Sequence, residues 1–194
     1  MKSFWKQYSY TIFKLFLNQF AIALFGVALA TASAASDKNA LLLLTSIFAV
    51  IFCLFLQYAV VWEVGAKDGI RADAHKSSRG LWRGVAIAVS ANALNILLAL
   101  LTLLGVFFAP GTVGAGIGGA AQFVARLLEG MYMGILAQPF RGLQLHDFSW
   151  AYFAICVPSV VVCTVGYILG SFNLHATNIL IPKNKDVKNN GRPE

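Results

Sequence analysis

Charge is scarce in this chain. Only 12% of its 194 residues are Asp, Glu, Lys or Arg, about half the share usual in soluble domains. That shortage argues against an ordinary water-soluble globular domain. The patterns of catalysis are missing too: there is no HExxH, no GxSxG, no Walker lysine and no pair of carboxylates at useful spacing. His75, His146 and His175 stand isolated. Cys53, Cys156 and Cys163 lie inside apolar runs with no CxxC or metal-ligand spacing. Such cysteines pack as small hydrophobes; the alternative is a Cys156–Cys163 pair sharing one helix face. Together these absences predict that the chain is not an enzyme and uses no cofactor or metal.

Apolar residues are abundant. They make up 58% of the chain, and the mean hydropathy is +0.70. At this length one domain is expected, over residues 1–171, with a basic, partly disordered juxtamembrane tail over 172–194. The reading is an all-α, polytopic helical membrane bundle. The formal net charge is +7, but the cations sit in blocks beside apolar runs. That predicts contact with the lipid bilayer and anionic headgroups, and no nucleic acid. The densest block is Trp62–Gly84, with Lys67, Arg71, Lys76, Arg79 and Arg83. Short cationic loops stay on the cytoplasmic side. The expected location is therefore a plasma membrane, with the N-terminus cytoplasmic.

In chain order, Lys2, Lys6 and Lys14 stand among Trp5, Tyr8 and Tyr10 as an interfacial collar. A first span runs from about Leu15 to Ala35, where Gly26, Ala30 and Ala34 offer a face for close helix approach. Ala32-Ser33-Ala34 also resembles a signal-peptidase site, so cleavage is the rival reading. A turn at Ser36–Asn39 leads to a second span, Ala40–Trp62. The cationic loop reads as a solvated connector, part of which can form a short helix at the cytoplasmic surface through Glu63/Lys67 and Asp68/Arg71 pairs. The third span is Val85–Phe108. Ala109–Gly119 reads as a flexible outer loop; it contains GxGxxG, but no parallel strand precedes it, which excludes a dinucleotide site.

Ala120–Phe140 is ambiguous, because Arg126 and Glu129 interrupt it and each charge at depth is costly. Four full spans plus an embedded or interfacial helix are expected, with five spans as the alternative. The basic tail, with Lys183, Lys185, Lys188 and Arg192, favours four. After a polar connector, the last span is Ala151–Ser171, kinked at Pro158, with Ser159 available to a freed backbone group. Trp5, Trp62, Trp82 and Trp150 all fall at span ends.

WEVGAKDGIRAD at Trp62–Asp73 and GMYMG at Gly130–Gly134, with the basic tail, resemble a loose group of small bacterial polytopic membrane proteins of no assigned function. The resemblance implies a fold and a bacterial plasma membrane, and no activity or site residue. Gly69 departs from the charged pattern expected there.

The candidate functional residues follow from cost. Arg126 and Glu129 are expensive at depth, and their spacing allows mutual pairing. Asn92 and Asn95, one turn apart, are expected to hydrogen-bond between helices or to line a polar cavity. Glu63, Lys67, Asp68, Arg71 and Asp73 form a candidate cytoplasmic docking surface. His146–Asp147 reads as a loop cap, or alternatively a pH-sensitive pair. The expected role is a non-catalytic assembly or regulatory component with a membrane-protein partner. The alternative is a small-solute transport subunit: the Gly26/Ala30/Ala34 series loosely resembles substrate-capture subunits of energy-coupling-factor transporters, which usually have more spans. The sequence names no ligand.

Overall fold

The structure is a computed structural model and describes residues 2–34, 39–75, 80–140 and 143–174. Ser36, Asp37, Lys38, Lys76, Arg79, Arg141 and the tail from His175 onward lie outside the described residues.

No proline occurs before Pro110, so nothing removes a donor from the helices of that half. Helix α1 (Lys2–Ala34, 33 residues) and helix α2 (Asn39–Ala74, 36 residues) are unbroken. At 1.5 Å per residue they are about 50 and 54 Å long, well beyond a hydrocarbon core of about 30 Å. They run antiparallel, since Gln7 and Tyr8 near the start of α1 meet Asp68 near the end of α2. The first part of the cationic stretch is helix, not loop. Helix α2 carries on through it to Ala74, and α3 (Trp82–Ala91) starts soon after. The Glu63/Lys67 pair (2.6 Å) and the Asp68/Arg71 pair (3.7 Å) stiffen that extension as their spacing predicts.

The expected third span is broken. Helices α3 and α4 (Ala93–Gly105) meet at a 61° bend. Asn92 sits at the corner, and its side-chain Nδ2 donates to the Ala88 carbonyl at 2.9 Å, sharing that acceptor with the helix's own N–H. Such back-bonding bends helices.

The glycine-rich stretch is mostly helix rather than loop. Thr112 caps α5 (Val113–Leu128), its Oγ1 accepting from the Ala115 N–H. Glycine disfavours helix, and here tertiary contact outweighs that preference. A methyl on Gly105 or Gly118 would lie 2.5 Å from the other residue's Cα, so α4 and α5 touch backbone to backbone. Residues 120–140 are not one helix. Helix α5 stops at Leu128, a 3-10 turn follows at Gly130–Tyr132, and α6 (Met133–Leu136) leads away. Two short antiparallel strands, β1 (Pro139–Phe140) and β2 (Leu143–Gln144), precede α7 (Ala151–Ala154) and α8 (Cys156–Ser171). The interruption at Ile155 lies one turn before Pro158, which has no N–H to give the Ala154 carbonyl. Ser159 does not repair it; its hydroxyl donates to Gln57 Oε1 of α2 at 2.7 Å.

Helix α8 lies parallel to α2. Ser159 meets Gln57, Gly65 faces the Tyr167 carbonyl, and Gly69 faces the Ser171 carbonyl. Gly65 and Gly69 on α2 and Gly166 and Gly170 on α8 are two GxxxG pairs, and each Cβ added there would meet the partner helix. This explains the glycine at position 69. The starts of α1 and α3 and the ends of α2 and α8 thus gather at one end, here called the cationic end. The end of α1 and the start of α2 mark the far end.

Polar side chains enter an otherwise apolar core, while large apolar side chains cover much of the outside. Gln19, Gln57, Asn92, Asn95, Glu129 and Ser159 are buried, while Phe48, Phe52, Phe55, Leu24 and Val161 are exposed. The fold is all-α, and among the described residues three helical stretches, within α1, within α2 and over α7–α8, are long and apolar enough to cross a membrane, or four if α3 and α4 make one span. Trp5, Trp82 and Trp150 are exposed, and Trp62 Nε1 donates to the Leu174 carbonyl at 2.9 Å.

Candidate functional site

Polar side chains collect in three places. At the cationic end, Asp68 is buried and accepts hydrogen bonds from Tyr8 Oη of α1, Tyr167 Oη of α8 (2.9 Å) and Gln7 Nε2 (3.2 Å). Arg83 of α3 donates to Tyr8 Oη at 3.4 Å. One carboxylate therefore ties the ends of four helices, and its lone pairs are satisfied as burial demands. Beside it is a cavity of about 280 Å3, lined in part by Gln7, Arg71, His75 and Arg83.

The expected docking set divides here. Asp68 points inward and cannot present itself to a partner. Glu63, Lys67, Arg71 and Asp73 are exposed. Ile70 joins them, 68% exposed between charged neighbours. Glu63, Lys67, Ile70, Arg71 and Ala74 are spaced to fall along one face of α2.

The second place is the middle of the molecule. Asn92 Nδ2 donates to Ser159 Oγ at 2.9 Å, Ser159 to Gln57 Oε1, and Gln57 Nε2 contacts Cys53 Sγ at 3.7 Å. Asn92 thus joins helices as expected, tying the α3–α4 corner to α8 and α2. Asn95 is buried on the first turn of α4. Gln57 and Ser159 complete the network. Gln57 had a legible signal, an amide inside an otherwise apolar run. The cysteines are all free and buried, so Cys156 and Cys163 form no disulfide.

The third place holds Arg126 and Glu129, and the expected pairing between them is absent. Glu129 caps α5 and is buried at 3% exposure. Its Oε1 accepts from Gln19 Nε2 at 3.4 Å, and its Oε2 has no partner among the described residues. Arg126 turns the other way, its Nε donating to Tyr152 Oη at 3.1 Å. Glu129 still donates its N–H to the Ala125 carbonyl at 2.8 Å, so the i,i+3 spacing is kept; the two side chains part because Gln19 of α1 holds one and Tyr152 of α7 the other. The turn after Glu129 is wedged against α1: a methyl on Gly26 would lie 2.6 Å from the Met131 backbone. The small-residue face of α1 is thus used within the chain, at Gly26 and Ala30, both buried.

His146 and Asp147 act as a loop cap. Asp147 Oδ2 accepts from the Gln144 N–H at 3.1 Å, and His146 Nε2 lies 3.3 Å from Asp147 Oδ1. Among the described residues no group of three His, Cys, Asp or Glu is placed to hold a metal ion.

Apolar helices around buried amides and acids mark a membrane protein. No known family, curated protein or solved structure matches the chain.

Proposed function

We propose that this chain is a multi-pass plasma-membrane protein that acts as a non-catalytic assembly or regulatory component, meeting a protein partner at its cationic end. The observation that carries the reading is the exposed face of α2 at Glu63, Lys67, Ile70 and Arg71, beside the cavity lined by Arg71, His75 and Arg83. An apolar side chain ringed by charges of both signs is the composition of an interface patch rather than of a lipid-facing helix. Asp68 fixes that face by anchoring α2 from within.

In this reading the spans are α1, α2, α3–α4 and α7–α8. Helices α5 and α6 form a re-entrant hairpin whose tip at Glu129 reaches Gln19, midway along α1. Irregular backbone at membrane depth is tolerated where protein covers it, as Gly26 and Gly130 do here. The start of α1 and the end of α8 then face the cytoplasm, in accord with the cations of the cationic end.

The test is site-specific photo-crosslinking in native membranes. With p-benzoylphenylalanine in place of Ile70, a discrete protein adduct is expected, abolished by Lys67→Glu with Arg71→Glu. The same residue in place of Phe48 should give lipid adducts alone. Lipid adducts alone from position 70 would remove the docking reading.

A second reading, a small-solute transport subunit, is favoured by one feature. Two broken helices, at Asn92 and Glu129, bring polar groups into the interior, as transporters do near the bilayer midplane. Copurification of an ATPase and a coupling subunit would support it.

A further inference from the structure

A second cavity, of about 260 Å3, lies at the far end between α1, α2 and α6. Ala30, Leu42, Met133 and Leu136 give it an apolar wall, and Arg126 and His146 are its ionisable members. Arg126 is held in place from behind. Tyr152 Oη accepts from its Nε at 3.1 Å and donates to the His146 carbonyl at 3.3 Å. Gln122 Nε2 donates to the same carbonyl at 2.9 Å.

This clamp uses one of the five guanidinium N–H donors. Among the described residues no carboxylate is within ion-pair distance of Arg126. Glu129, the nearest acid in sequence, faces Gln19 instead. A guanidinium beside an apolar wall is costly without a counter-charge. Its free fork matches the geometry of a phosphate. The cavity is slightly smaller than the roughly 300–1,000 Å3 of pockets that enclose small ligands. It can take part of a long apolar chain but not a whole solute of that size. The ligand class that combines a fixed anion with such a chain, and already surrounds a membrane protein, is a phospholipid.

We propose that Arg126 and the adjoining cavity form a phospholipid site, with the lipid phosphate on the guanidinium and one acyl chain against Ala30, Leu42 and Leu136. The site is independent of the docking face on α2: crosslinking at Ile70 can fail while this one stands, and the reverse.

The test is native mass spectrometry of the full chain in detergent, delipidated and then titrated with dioleoylphosphatidylglycerol. The wild type should take up one lipid in preference to further, weaker additions. Arg126→Gln should weaken that first binding about tenfold or more, the loss expected for a charge-assisted hydrogen bond. Arg126→Lys should fall between, keeping the charge without the fork. Thr31→Trp leaves Arg126 untouched and fills the cavity, which Thr31 also lines; it should weaken binding as well, and it decides the matter if Arg126→Gln does not fold. Phe48→Ala, on an exposed face elsewhere, should bind as the wild type does. Unchanged binding in Arg126→Gln or in Thr31→Trp would overturn the proposal. So would sodium oleate displacing the phospholipid at equal concentration, since the source of the anion would then be a free fatty acid.

Discussion

Arg126 and Glu129 stand three positions apart and serve different neighbours. One is clamped by Tyr152 and the other is held by Gln19. Their energetic coupling should therefore be small. In a double-mutant cycle of Arg126→Gln and Glu129→Gln, read by thermal unfolding in one detergent, the two effects should add to within about 0.5 kcal/mol. A coupling above about 1 kcal/mol would restore the direct ion pair that the sequence spacing suggests. Asp68 teaches the same lesson from the other side. Its i,i+3 partner Arg71 was visible in the sequence. Its strongest partners, Tyr8 and Tyr167, come from 60 and 99 residues away, and no local spacing announces them.

At the level of elements, glycine divides into two kinds. Gly170 faces the Trp62 backbone across the α2–α8 contact, whereas a methyl on Gly116 would meet nothing within 4 Å. Gly170→Ala should destabilise by about 1–3 kcal/mol through overpacking. Gly116→Ala should stabilise by about 0.5–1 kcal/mol, because α5 then loses an entropic penalty and gains no clash. Thermal unfolding of both variants in the same detergent checks the contrast, and equal effects would refute it. The long apolar helices α1, α2 and α8 were legible because run length alone announces them. The helical state of 113–119 was not, since local propensity opposes it and only the α4 contact supports it. The extension of α2 past Trp62 was hidden by its charges, which read as connector although their spacing suits a helix. The bend at Asn92 was hidden because an amide in an apolar run signals an interhelical bond more directly than a corner. The bond between Ser159 and Gln57 needed the parallel register of α2 and α8, which sequence does not give.

For the whole molecule, the arrangement of helix ends makes a single statement about sidedness. Lys6 and His75 belong to the cationic end, while Pro110 and Gln144 lie beyond helices that lead away from it. All four are exposed, and the native cysteines are all buried, so background labelling should be low. Single cysteines at Lys6 and His75 should react with a membrane-impermeant maleimide only after the cells are permeabilised. Those at Pro110 and Gln144 should react in intact cells. Labelling of the His75 position from outside would invert the proposed orientation. Labelling of Lys6 and His75 from opposite sides would dissolve the shared end itself.

The pairing of α2 with α8 bears on how the protein is made. The second helix to emerge during synthesis leans most heavily on the last, so its glycine-lined flank waits uncovered until residues 75–155 have been made. A nascent chain cut short before Cys156 would keep its first helical hairpin yet lack the piece that closes it. Such a fragment would be a natural target for membrane quality-control proteases.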